Sequence, residues 1–155
     1  MKAEKMEIEE QFIRQAIALA QQARERGNHP FGALLVVDDR VVLTAENTVN
    51  SEKNPTCHAE TNLVQKAIRE LKQNQMARAT LYTSCEPCPM CASAIYWTGI
   101  RKVVYALANE ELAKIAGDVL GVSCREIFAR ASEKVEIAGP FLLEEACKVH
   151  EGFWG

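Results

Sequence analysis

Two short stretches of the chain carry side chains that bind metals and move protons: His58-Ala59-Glu60 and Pro87-Cys88-Pro89-Met90-Cys91. Cys88 and Cys91 stand three residues apart at the start of a helical stretch, so both sulfurs can face one point. On its own, a Cys-x-x-Cys pair serves equally as a redox couple or as one corner of a structural zinc site. A structural zinc closes with four protein ligands, whereas here the other stretch offers one good ligand, His58, with a carboxylate two residues on. Three ligands with a fourth position left for water is the catalytic zinc arrangement. One Zn2+ per chain, on His58, Cys88 and Cys91, is therefore the expected cofactor.

The charges assign Glu60 its part. Two thiolates cancel the formal charge of the ion, so the metal is a weaker acid towards its water than a zinc held by neutral imidazoles. A neighbouring carboxylate must take the proton and return it to the substrate, which makes Glu60 the expected catalytic residue. Helix geometry sets a condition, because residues two apart lie about 200° apart around an ideal helix. His58 and Glu60 share a cleft only if His58 sits at the very first turn, and Pro55-Thr56 just before it favours that. Both ligand stretches then lie at helix N-termini, where unpaired N–H groups and the positive dipole end stabilise anions.

The surrounding pattern supplies elements to hold these groups. Ile8, Phe12, Ala16, Leu19 and Ala23 recur at helical steps, which predicts a helix over 8–25 stopped by Gly27-Asn28. Two β-rich runs, 33–37 and 41–45, are joined by Asp38-Asp39-Arg40 as a hairpin. A second helix is expected over 58–71, a third strand over 79–83, a helix over 89–98 ended by Gly99, and a fourth strand over 102–107. Helices at 110–115, 123–131 and 141–150 and a short strand at 134–137 complete the reading. Helices alternating with strands predict a three-layer α/β/α sandwich around a mixed five-stranded sheet, with residues 1–155 as one domain.

With 155 residues, 48% of them hydrophobic and 25% charged, the chain has enough apolar surface to fold without disulfides. The six cysteines are expected to be ligands or small buried side chains. No apolar run is long enough to cross a membrane, and the charged start lacks a signal-peptide core, so a cytoplasmic protein is expected. A net charge of −3 argues against extended nucleic-acid binding, which rests on basic groups neutralising phosphates.

His-x-Glu followed by Pro-Cys-x-x-Cys is the signature of zinc base deaminases. The chain resembles the cytidine deaminase-like superfamily over nearly its whole length, and within it bacterial guanine deaminases. The resemblance is carried by Pro30-Phe31-Gly32-Ala33, Asn47, His58-Ala59-Glu60, the run Tyr82–Cys91, and Ala94-Ile95-Tyr96-Trp97. tRNA adenosine deaminases share the His-Ala-Glu and Glu-Pro-Cys-x-x-Cys cores, but usually carry apolar residues at Ser84-Cys85 and Tyr96-Trp97.

The resemblance implies hydrolytic deamination of a small purine base, guanine to xanthine and ammonia. Guanosine, another nucleoside or an aminotriazine are the alternatives, with a tRNA adenosine deaminase as the macromolecular rival. It implies that Asn47 bonds the base edge, that Phe31 and Trp97 wall it, and that backbone groups of Ala59 and Cys85 touch the ring. Asp118 is the implied acid reading the ring, with Glu110, Glu111, Glu126, Glu144 and Glu145 as competitors. Trp154 is implied to close the pocket, of its own or a neighbouring subunit. A homodimer through the cysteine-bearing helix is implied as well. His29 reads as a loop residue and His150 as a surface one.

Overall fold

The computed structural model describes residues 2–155. The first helix, α1 (Lys2–Glu25), starts earlier than its apolar stripe, because the Lys/Glu/Ala-rich lead-in is helix-favouring although exposed. It ends as predicted: Gly27 takes a positive φ of 87°, and Asn28 N–H donates to Ala23 O at 2.9 Å, a Schellman closure. The hairpin β1 (Gly32–Val37) and β2 (Arg40–Glu46) follows, turned by Asp38 and Asp39, both at positive φ. Next come α2 (Val49–Glu52), α3 (Ala59–Glu70), α4 (Gln73–Arg78), β3 (Thr80–Cys85), α5 (Pro89–Thr98) and β4 (Lys102–Leu107). The chain continues through α6 (Asn109–Ala116), α7 (Cys124–Ala129), β5 (Glu136–Ala138) and α8 (Leu143–Lys148). The short helices α2 and α4 lack an apolar stripe and escape a periodicity reading; the later elements stand where the pattern puts them, trimmed at the ends.

The sheet order is β2-β1-β3-β4-β5, with β1 antiparallel to both neighbours and β3, β4 and β5 parallel. It is the mixed five-stranded sheet that the sequence predicts. β1 is buried along its whole length because each face is covered. Ala33, Leu35 and Val37 pack with Leu63 of α3, Ile95 of α5 and Phe128 of α7. Leu34 and Val36 pack with Phe12, Ile13 and Ala16 of α1 and Ala146 of α8. Period-two alternation thus serves two cores, giving three layers.

Two features of this frame bear on the site. The parallel strands β3 and β4 end together at Cys85 and Leu107, where Glu86 N–H donates to Leu107 O at 2.7 Å. The carboxyl ends of parallel strands, flanked by helix N-termini, are where open α/β sheets bind ligands. On the other face α1 lies very close to β1, because Ala16 and Ala20 oppose Gly32. A Cβ at Gly32 would stand 2.5 Å from Ala16 O and Leu19 Cβ and 2.6 Å from Ala20 N. A Gly32→Ala variant is therefore expected to lose about 1–3 kcal/mol of stability, as overpacking does, read as a lower urea midpoint at unchanged slope.

Candidate active site

Each half of the site is built by a helix start. His58 is the N-cap of α3, with extended backbone (φ −71°, ψ 157°), and Cys88 is the N-cap of α5 in the same conformation (φ −67°, ψ 169°). An N-cap side chain swings off the helix cylinder, which meets the condition set for His58 and Glu60: the imidazole approaches from the side while Glu60 projects from the first turn. Neither side chain caps its own helix. Pro89 opens α5 at its first position, where a missing N–H costs nothing, and Cys91 follows at the third. N-cap and third position are the two partners of a capping box, so Cys88 and Cys91 face each other for the same geometric reason.

His58 Nδ1 lies 3.6 Å from Cys88 Sγ and 3.5 Å from Cys91 Sγ, and the three donor atoms are all within 4.8 Å of one another. A tetrahedral zinc with bonds of about 2.3 Å to sulfur and about 2.0–2.1 Å to nitrogen would hold S and N about 3.5–3.6 Å apart. The donor set and the spacing therefore fit zinc. Among the described residues this is the one cluster of histidine, cysteine and carboxylate donors that close together. No disulfide competes for the sulfurs, since all six cysteines are free.

The protonation pattern favours cation binding. A hydrogen bond from the Cys91 thiol, with help from His58, pulls the Cys88 thiol down to about 4, while the Cys91 thiol is pushed up in return. His58 is raised above the usual imidazole range, chiefly by its bond to Cys88. Glu60 is 5% exposed, and burial pushes its carboxyl up to about 7. The Thr83 hydroxyl, 2.8 Å from Glu60 Oε1, pulls it partly back. That hydroxyl also lies 2.9 Å from Cys85 O, so its single proton can turn to the carboxylate or to the carbonyl. Thr83 is the partner that sequence reasoning missed; its inward place on β3 was the only available sign.

A cavity of about 480 Å³ opens beside these groups. His58, Glu60 and Cys88 form its floor. Phe31, Cys85, Asp118 and Trp154, which the resemblance implies as substrate contacts, line this cavity. His29, Glu86, Asn109, Leu112, Val119 and Leu120 line it too, and none of these was expected there. Glu86 is a staple: its two carboxylate oxygens accept from Asn109 N at 3.2 Å and Cys124 N at 2.8 Å, fixing the starts of α6 and α7. Of the competing acids only Asp118 reaches the cavity; Glu111 pairs with Lys114 and Glu145 with Arg14.

Three expected contacts differ. Trp97 is 83% exposed on the outer side of α5 and does not wall this cavity, because the inward face of that helix is taken by Cys91, Ala92 and Ile95. Asn47 and Ala59 are buried behind the wall, and Asn47 Oδ1 accepts from Val49 N at 3.0 Å. His29 is a loop residue as expected, and from that loop its ring lines the cavity and meets Trp154 edge-on at 5.4 Å.

Known proteins place the chain beside this geometry. Residues 6–107 match the family model of the cytidine and deoxycytidylate deaminase zinc-binding region. A probable cytosine deaminase of Schizosaccharomyces pombe is 41% identical over 152 residues, covering 92% of this chain and 90% of that protein. The guanine deaminase of Bacillus subtilis is 39% identical over 110 residues, 70% of each. A solved structure from work on wobble-position tRNA:A34 deaminases superposes with a TM-score of 0.74 at 28% identity, over 90% of this chain and 98% of that one.

Two outcomes test the metal centre. Cys88→Ser or Cys91→Ser is expected to bring zinc, measured by elemental analysis, from about one per chain towards none. Zinc must also displace the proton of His58, which Cys88 holds above the ordinary value of 6.5. The Cys91 thiol, pushed up beside Cys88, must lose its proton too, so affinity of chelator-stripped protein should climb with pH through the neutral range and go on climbing above it, in a competition titration with a zinc indicator.

Proposed function

We propose a substrate and a mechanism from one premise: the chain belongs to the cytidine and deoxycytidylate deaminase zinc-binding family. It is a zinc-dependent deaminase, a hydrolase that replaces a ring amine by oxygen. Its substrate, in our reading, is a free purine base, guanine, converted to xanthine and ammonia. The observation that carries this is the lining of the cavity. Among the described residues no lysine or arginine faces it, and aromatic and aliphatic side chains make most of its wall. Such a pocket suits an uncharged planar base; a nucleotide or an anticodon stem brings phosphates that ask for basic groups.

Zinc held by His58, Cys88 and Cys91 would supply the Lewis acidity that makes a water nucleophilic near neutral pH. Glu60 takes a proton from the attacking water as the water oxygen bonds to C2 of the base, and delivers it to a ring nitrogen. Glu60 then passes the second water proton to the exocyclic nitrogen as the C2–N bond breaks and ammonia leaves. Water and guanine enter, xanthine and ammonia emerge, and no electrons are transferred. A carboxyl poised about 7 by burial suits both directions of transfer. The Thr83 hydroxyl accompanies it, donating to the carboxylate and turning to Cys85 O when Glu60 carries the proton. Asp118 at the rim reads ring N–H groups, while Phe31 and Trp154 hold the ring faces.

A second reading, cytosine, is favoured by the 41% identity to the Schizosaccharomyces pombe protein over nearly the whole chain. Ammonia release from guanine, cytosine, adenine, guanosine and an anticodon stem-loop decides. Guanine should give stoichiometric xanthine; uracil from cytosine alone would move the assignment to pyrimidines, and turnover of the stem-loop alone would discard a free base. Glu60→Gln should keep its zinc and lose about 10²- to 10⁴-fold in kcat.

We also propose that the chain pairs with a second copy across α5 in the cytoplasm, where no phosphate-bearing partner or membrane is involved. Trp97 at 83% and Ile68 of the adjacent α3 at 60% exposure support this, and no described helix is long and apolar enough to cross a membrane. Trp97→Arg is expected to convert a dimer to a monomer in light scattering.

A further inference from the structure

Behind Trp154 stands a histidine that the chemistry described so far does not use. His150 follows α8 and is 1% exposed. Its Nδ1 accepts the indole N–H of Trp154 at 3.0 Å, and the two rings lie 15° from parallel with centroids 6.1 Å apart. With Nδ1 accepting, the proton of the neutral ring sits on Nε2, which is buried without a partner among the described residues. Phe31 presses its edge on the imidazole at 5.3 Å. The backbone here is fixed independently: His150 N–H donates to Cys147 O at 3.0 Å, Phe153 N–H donates to His150 O at 3.1 Å, and Arg24 Nη1 donates to Val149 O at 2.9 Å.

We propose that His150 is a positioning residue: through its Nδ1 acceptor it fixes the rotation of the Trp154 indole, and so sets the wall that receives the base. A tryptophan has two faces and an edge to offer a planar ligand, and the non-directional packing of its ring against Phe153, His29 and Phe31 leaves its rotation less determined than a hydrogen bond does. One directional hydrogen bond removes that freedom, and an unpartnered buried Nε2 costs stability, which fits a residue kept for orientation. Arg24 is the charged group near it, and burial with that charge lowers His150 to about 4, so the ring stays an acceptor throughout the neutral range. The effect falls on substrate binding and leaves the proton transfers by Glu60 untouched.

The test uses the zinc-loaded full chain. His150→Phe keeps a ring against Trp154 but offers no acceptor, His150→Asn restores an acceptor near the place of Nδ1, and Trp154→Phe removes the donor. KM for the base that is turned over should rise about three- to tenfold in His150→Phe, with kcat within about twofold, and recover in His150→Asn. The double variant His150→Phe/Trp154→Phe should match Trp154→Phe alone, since both remove one bond. This kinetic arm rests on the deaminase reading above. An NMR arm does not: the chain has two tryptophans, and the indole resonance missing from Trp154→Phe is that of Trp154. It should be protected from solvent exchange in the parent and in His150→Asn, and exchange rapidly in His150→Phe. Unchanged protection in His150→Phe, or additive losses in the double variant, would overturn the proposal. A protected indole with no deamination of any base would leave His150 standing and sink the substrate assignment instead.

Discussion

The site depends on one constraint: two helices must begin at the same point in space. α3 and α5 pack side by side on one face of the sheet and start where β3 and β4 end. Their N-caps, His58 and Cys88, share one backbone conformation and aim outward from the helix barrels towards each other. Positions that usually carry Ser, Thr, Asp or Asn to satisfy the first turn carry metal donors instead. Each helix thereby gives up a capping bond, worth about 1 kcal/mol, and a shared cation becomes the natural compensation. Leu63 of α3 and Ile95 of α5 belong to one buried core with β1, so the two ligand-bearing helices are packed on the same sheet face.

The same arrangement governs the proton carrier. Glu60 is in the first turn of α3, where the helix dipole favours its ionised form, yet it is also closed off from water, which favours the neutral one. Burial wins and the thiolate of Cys88 adds to it, with Thr83 in opposition. A group balanced between opposing effects changes protonation at small cost in either direction, which is the physical requirement for taking and returning a proton within one turnover. A fully exposed carboxylate at this place would hold its charge too well.

Much of this was legible in the sequence, for a physical reason: the ligands and the proton carrier are fixed by local spacing. His58 with Glu60 and Cys88 with Cys91 are separated by two and three residues, and Pro55 and Pro89 mark where the helices start. The strands were legible as short apolar and β-branched runs bounded by turn residues, α1 by its apolar stripe, and α5 by Pro89 at its start and Gly99 at its end. α2 and α4 were not, being too short for a stripe. The cavity wall was legible only in part. Trp97 lies on the ligand helix itself, but a helix turns about 100° per residue, and Trp97 ends up on its exposed face. His29, Asn109, Leu120 and His150 reach the cavity or its backing from distant segments, and no local spacing announces such meetings.

That division explains why relatives named for cytosine, guanine and tRNA chemistry can all resemble one chain. The residues legible by spacing form the metal site that the family shares. The rest of the cavity wall comes from the residue before β1, the loop beyond α6 and the turns after α8, which bring Phe31, Asp118, Val119 and Trp154 to it. The Glu86 staple holds the starts of α6 and α7, and so both ends of the loop between them, to the end of the sheet. Substrate choice can therefore drift by exchange of wall residues while the floor stays fixed. In our reading the base is chosen by the wall opposite the zinc donors, and that wall is mostly aromatic and aliphatic, with carboxyl side chains at Glu86 and Asp118.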